Sequence, residues 1–210
     1  MTISPEEYKQ KLLKAFDREA LKAMMLAVGD AYRTTPEHCK RNYDPPDRHD
    51  MIGHVRRARV HEAVRGVAER YSLDYRDIPN MNGSCYFLSI ISGEIRLICC
   101  LVATQKSMVR PAKIRKFLAA QNFDGQGRLP FMQEDDPDVP PTRLEHLAVL
   151  IHAPAGRHKD QAAFVDIVIP NRKFTEYLQR VELFGVFPNE AEQYRSLFKR
   201  KKKHGEAEGA

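Results

Sequence analysis

"SCYFLSIISGEIRLICCLVA", Ser84 to Ala103, decides the fold class. Two apolar runs flank Ser92-Gly93, a compact hairpin turn of the kind glycine permits. Both runs are apolar at consecutive positions, so both faces of each strand expect cover, and the pair belongs near the centre of a sheet. The pattern returns downstream. "LEHLAVLIHA" (144–153) and "AAFVDIVIP" (162–170) form a second strand pair around the polar loop "PAGRHKDQ" (154–161), and Pro170 ends it. Two hairpins make the sheet mainly antiparallel.

Upstream the apolar period lengthens to that of a helix. Ser4-Pro5-Glu6-Glu7 has the order of a capping box, with Pro at the first helical position. Tyr8, Leu12, Leu13 and Phe16 follow at helical spacing. Leu21, Met24, Met25 and Val28 mark a second helix, separate from the first or continuous with it. "TTPEHCKRNYDPPDRHD" (34–50) reads as a loop, with Pro45-Pro46 as its stop. A third helix is expected from about Met51 to Tyr71, capped by Asp50, with Val60, Val64, Val67 and Tyr71 as its core stripe.

Between the hairpins, "VRPAKIRKFLAAQN" (109–122) is a short basic helix starting at Pro111, with Ile114, Phe117 and Leu118 on one face. "FDGQGRLPFMQEDDPDVPPTR" (123–143) is a connector rich in Gly, Pro and acid, and Asp77-Ile78-Pro79 reads as a turn. Asn171 is expected to cap a helix carrying Phe174, Tyr177, Leu178, Val181 and Phe184. A last helix begins near Asn189. The chain is therefore an α+β protein: a helical N-terminal segment (1–45), an α+β core (46–198) with a mobile linker near 123–143, and a disordered basic tail (199–210).

The 210 residues are 42% hydrophobic, enough for a core, and carry a formal net charge of +6. A basic balance favours polyanionic partners. Cys39, Cys85, Cys99 and Cys100 form no CxxC pair and three of them lie in apolar runs. That points to free thiols in a reducing cytoplasm, with neither a disulfide framework nor a zinc ribbon. "MTISPEEYKQ" has no apolar core of a signal peptide, and Ile95–Ala103, the longest apolar run, is too short to span a bilayer. Phosphate-loop, dinucleotide-binding and nucleophile-elbow motifs are all missing, so no cofactor is implied.

Chemistry concentrates in "HVRRARVHEAVRG", His54 to Gly66, with four arginines and two histidines in thirteen residues. At helical spacing His54, Arg57, His61 and Arg65 share one stripe beside the valine core. An imidazole shuttles protons near neutral pH, and a guanidinium stabilises charge on a phosphorane. The stripe thus suggests a ribonuclease-type site with His61 as acid/base and Arg57 as phosphate clamp. It equally fits a nucleic-acid-binding face that includes Arg56, or an ordinary solvated face. Arg56 and His61 resemble the HEPN ribonuclease families in spacing, an arginine followed by a histidine four to six residues on. Here Arg57 stands where those families usually place Asn, Asp or His. Ideal geometry puts Arg56 about 140° around the helix from His61, and HEPN domains are all-helical.

Other clusters compete. Lys106, Arg110, Lys113, Arg115 and Lys116 surround the short central helix, and Lys199–Lys203 form a terminal run; both suit phosphate neutralisation. Glu94-Ile95-Arg96 with Asp74 and Asp77 upstream resembles the metal-binding pattern of restriction-type nucleases, with Arg in place of Lys. His146 and His152 share a strand face near His158, Asp160 and Asp166, and Glu134–Asp138 is acidic, but neither matches standard ligand spacing, so no metal is expected.

"SMVRPAKIRKFLAAQN" (107–122), "LPF" (129–131), "LAVLIHAP" (147–154) and "AAFVDIVIPNRKFTEYLQRVELF" (162–184) together resemble a group of small bacterial proteins encoded beside a helix-turn-helix regulator with a zinc-peptidase-like domain. The likeness covers roughly residues 50 to 187 and carries no active-site residue. It implies a toxin–antitoxin or phage-defence component, with a cognate antitoxin or regulator as partner. A bacterial cytoplasmic protein that binds or cleaves RNA or DNA is the leading expectation. The alternative is a non-catalytic module that binds a partner protein or nucleic acid.

Overall fold

The computed structural model describes residues 5–79, 86–110, 113–119, 146–156, 158–171 and 173–205. Three helices come first: α1 (Pro5–Ala15), α2 (Arg18–Asn42) and α3 (Pro45–Arg70). The strands β1 (Asp74–Pro79), β2 (Tyr86–Ser92) and β3 (Ile95–Leu101) precede α4 (Lys113–Ala119). Then come β4 (His146–Ala155), β5 (His158–Pro170), β6 (Tyr177–Glu182), the single turn α5 (Leu183–Val186) and α6 (Pro188–Gly205). The class is α+β.

The six strands form one sheet in chain order. β1-β2-β3 is an antiparallel meander and β4-β5-β6 is another. They join where β3 and β4 run parallel, in register from Ile95↔His146 to Leu101↔His152. The expected hairpins are both present, each widened by one further strand. Ser92↔Ile95 closes the first across Gly93, whose φ of +58° a Cβ would strain. The polar loop of the second shrinks: Ala155↔His158 pair beside Gly156.

Both faces of the sheet are covered, which explains the consecutive apolar positions. Ile95, Leu97, Cys99, Ala148, Leu150 and Ile167 pack under α1, α2 and α3. Ile98, Cys100, Leu147, Val149, Ile151 and Val168 pack with Leu118 of α4 and Val109. The N-terminal helices therefore belong to the main core: Leu12, Phe16, Leu21, Met24, Met25 and Val28 are all buried in it.

Several boundaries depart from expectation. α1 and α2 are separate, broken at Asp17, whose carboxylate accepts the Glu19 N–H at 3.1 Å. The stretch from Thr34 is helix, not loop: α2 carries Pro36 inside it and runs to Asn42. Proline removes its own N–H from the ladder and crowds the carbonyl four residues back, and burial of Thr35 and Cys39 holds the helix around it. Pro45-Pro46 opens α3 instead of closing a loop, since the first helical N–H groups have no partner to lose. Asp77-Ile78-Pro79 is the end of a strand, not a turn; Pro79 is tolerated there because β1 is an edge.

The largest correction lies after Asn171, where a strand replaces the expected helix. The Asn171 carboxamide accepts the Thr175 N–H at 2.9 Å, its backbone N–H donates to Glu176 at 3.0 Å, and Phe174 adopts φ +61°. That geometry is a reversal, not a helix cap. β6 then satisfies the free edge of β5. α6 continues through Gly205, beyond Lys199 where the tail was expected to start, and residues 206–210 lie outside the described ones. So do the Ser4 cap and the connector at 123–143. Among the described residues, no helix is long and apolar enough to cross a membrane.

Candidate functional site

The carboxyl ends of β3 and β4 lie side by side, closing their ladder at Leu101↔His152. In parallel pairs this end is where the connecting elements converge and where ligands are usually met. α3 passes over it on one face and α4 lies on the other.

His61 of α3 is half-buried and hydrogen-bonded to the backbone of Cys99. Burial, then the Arg57 and Arg65 charges, hold its imidazole below the ordinary value; the Cys99 hydrogen bond and Asp77 pull the other way. At neutral pH it is an uncharged proton acceptor. Arg57 is exposed, close enough to act on both His61 and the Cys100 thiol. Arg115, from α4, hydrogen-bonds that same thiol. It also donates from Nε and Nη2 to the Arg110 carbonyl, at 3.0 and 2.5 Å. Burial pushes the Cys100 thiol up to about 11 against both arginines, so it stays protonated. The two basic clusters of the sequence thus meet at one strand end, with Arg110, Lys113 and Lys116 exposed around it.

The rest of the α3 stripe divides. His54 is exposed. Arg65 is half-buried and grips both oxygens of Asp77 on β1 at 2.8 Å. Arg56 is not on a nucleic-acid-binding face as expected: it stands one turn before Val60 on the core side of α3, turns inward and is only 4% exposed. Its guanidinium lies 4.7 Å from the centroid of the Tyr32 ring, a cation–π contact of the desolvated kind. Tyr32 of α2 hydrogen-bonds His152 Nδ1 at 2.8 Å, and the two rings meet edge-on. Burial, then His61 and Arg56, push His152 down to about 3, and burial pushes the Tyr32 phenol well up. Both therefore stay neutral across the physiological range.

A second polar cluster sits on the opposite face. Asp166 of β5 is 1% exposed and faces Gln105, Arg180 and Glu182. Burial raises its carboxyl to about 6, against the Gln105 hydrogen bond and the Arg180 charge.

The metal-type candidates are not drawn together. Asp77 is engaged by Arg65, Asp74 lies 3.7 Å from Arg76, and Glu94 is exposed in the hairpin turn. Arg96 reaches Ser89 at 3.5 Å. Asp74 and Arg96 both flank Ile91, two strand spacings or ~10 Å apart. His146 and His152 share a face as expected, but six residues of strand separate them by ~20 Å. Among the described residues, no three His, Cys, Asp or Glu side chains gather as metal ligands. The 134–138 acids lie outside those residues.

Sequence reasoning missed Tyr32, and it set Asp166 beside the strand histidines instead of with Gln105 and Arg180. Nothing local marks Tyr32, whose partner lies 120 residues away. Asp166 did carry a signal: a lone acid in the apolar run "AAFVDIVIP" has to be paired or neutralised.

Comparison of the chain with protein-family models, curated proteins and solved structures finds no match.

Proposed function

We propose that this chain binds nucleic acid through the basic rim at the carboxyl end of β3, as a cytoplasmic component of a bacterial toxin–antitoxin or phage-defence system. One observation carries this: Arg115 of α4 hydrogen-bonds the Cys100 thiol, and the charge of Arg57 on α3 also bears on that thiol, beside a neutral His61. Two guanidiniums from different elements around one strand end suit consecutive phosphates. The toxin or defence role rests on the sequence resemblance alone.

In the catalytic version, His61 takes the proton of an RNA 2′-hydroxyl as that oxygen bonds to phosphorus and returns it to the departing 5′-oxygen, and Arg57 stabilises the phosphorane, with His54 and Arg65 assisting. The non-catalytic version, a module binding nucleic acid or a cognate regulator, draws on a separate observation. The His61 imidazole already hydrogen-bonds the Cys99 backbone, as a structural residue would.

Fluorescence anisotropy with short labelled RNA and DNA tests the binding. Affinity should fall steeply with salt, and Arg57→Ala or Arg115→Ala should each lower the salt slope by about one. No binding at low salt discards the proposal in favour of a protein partner. Growth arrest on expression, undiminished by His61→Ala, would remove the catalytic version only.

A further inference from the structure

Segment 102–110 leads from β3 towards the basic rim, and β5 and β6 tie it down. Gln105 Nε2 donates to Asp166 Oδ2 at 3.1 Å and to Glu182 Oε1 at 3.4 Å. Arg180 Nη2 donates to the Gln105 carbonyl at 2.7 Å, while its Nη1 lies 3.8 Å from Asp166 Oδ2. Further along, the Val109 N–H donates to the Tyr177 hydroxyl at 2.9 Å, which in turn donates to the Ser107 carbonyl at 3.2 Å. The Val109 side chain is buried in the core on that face. The next residue is Arg110, whose carbonyl holds Arg115.

We propose that Asp166, Gln105 and Arg180 form a latch that positions the phosphate-binding rim, fixing segment 102–110 on β5 and β6 and, through it, where Arg110 and Arg115 stand. This rests on the phosphate-binding function proposed above, and the three are positioning residues within it. The buried face of Gln105 satisfies a carboxylate that would otherwise be costly to keep from water. Arg180 serves both partners, the carboxylate of Asp166 and the backbone of Gln105.

The latch responds to protons in a definite direction. The charged groups facing Asp166 are Arg180 and Glu182, both on β6. Gln105 is neutral, Ile151 is the cross-strand partner on β4, and Lys106 and Arg110 of the segment itself are exposed. Closed, the carboxyl titrates at about 6; opened to water it returns towards its ordinary 3.8. The closed form therefore binds the proton more tightly. Acid closes the latch, and it loosens as pH rises through about 6. Two pH units correspond to a closing equilibrium changed by up to about a hundredfold.

Hydrogen–deuterium exchange of the Val109 amide in the whole chain, corrected for intrinsic rates, tests this. Its protection should rise by up to about thirtyfold from pH about 7.5 to about 4.5. Asp166→Asn, which mimics the protonated acid, should hold protection near the acid value at both. Gln105→Ala, at a half-exposed site that leaves the cores intact, should lower protection at both and weaken binding of a short labelled RNA with a smaller salt slope. Flat protection in the wild type, or wild-type protection in Gln105→Ala, overturns the latch. RNA binding with an unchanged slope in Gln105→Ala overturns its positioning role. Expected exchange with no RNA binding at low salt overturns the phosphate function alone.

Discussion

His152 and Asp166 are buried near an arginine on opposite faces of the sheet, and both are 1% exposed, yet they end in opposite conditions. Under α2 and α3, burial and the neighbouring cations push His152 the same way, down to about 3. On the other face burial pushes Asp166 up while Arg180 and Gln105 pull it back, leaving it near 6. Burial reinforced by neighbouring cations makes the histidine inert, whereas burial opposed by the half-buried Arg180 leaves the aspartate titratable. The difference lies in the sign of the group beside it, not in the degree of burial.

The contrast is measurable because the two groups contribute opposite slopes to stability. An imidazole depressed in the folded state gives stability that is complete above its unfolded value, near 6.5, and lost as pH falls towards 3. A carboxyl raised in the folded state gives stability that is complete below 3.8 and lost as pH rises through about 6. Between pH about 4 and 6 they offset each other. The largest effect expected is for His152→Gln. Chemical denaturation from pH about 6.5 down to about 3 should lose its acid-side fall, roughly 3–5 kcal/mol at most, and stability should then rise on acidification. Asp166→Asn should do the reverse, leaving an acid-labile protein that is more stable than wild type by about 2–3 kcal/mol above pH about 6. Equal slopes in the two variants would erase the distinction between the faces. The smallest effect belongs to Tyr32→Phe, which strands His152 Nδ1 in the core and should cost about 1–3 kcal/mol at neutral pH. That variant should also leave the pH profile on the Asp166 side unchanged.

The same contrast explains how much could be read from the chain. The β2–β3 and β4–β5 strands were legible because consecutive apolar residues demand cover on two faces, and Gly93 marks the turn between the first pair. The valine stripe of α3 was legible because its period is local. The turn at Asn171 was not: Phe174, Tyr177, Val181 and Phe184 satisfy a helical period, and only the vacant edge of β5 decides for a strand. Pro36 likewise reads as a breaker until the burial of Thr35 and Cys39 is known. Of the α3 residues, His61 and Arg57 do lie together, whereas Arg56, expected on a nucleic-acid-binding face, turns inward because it lies one turn before Val60. Its partner did not, since Tyr32 and His152 meet only through the tertiary fold.

The sheet is, finally, divisible. Each three-strand half is closed by its own antiparallel ladders, and the described strands of the two halves meet along one ladder, β3 against β4, between segments that end at Leu101 and resume at His146. Two separate polypeptides, one ending beyond α4 and one starting at β4, would hold every strand of the sheet between them. Their reassembly would be a concentration-dependent step, and the parallel seam would become a subunit interface.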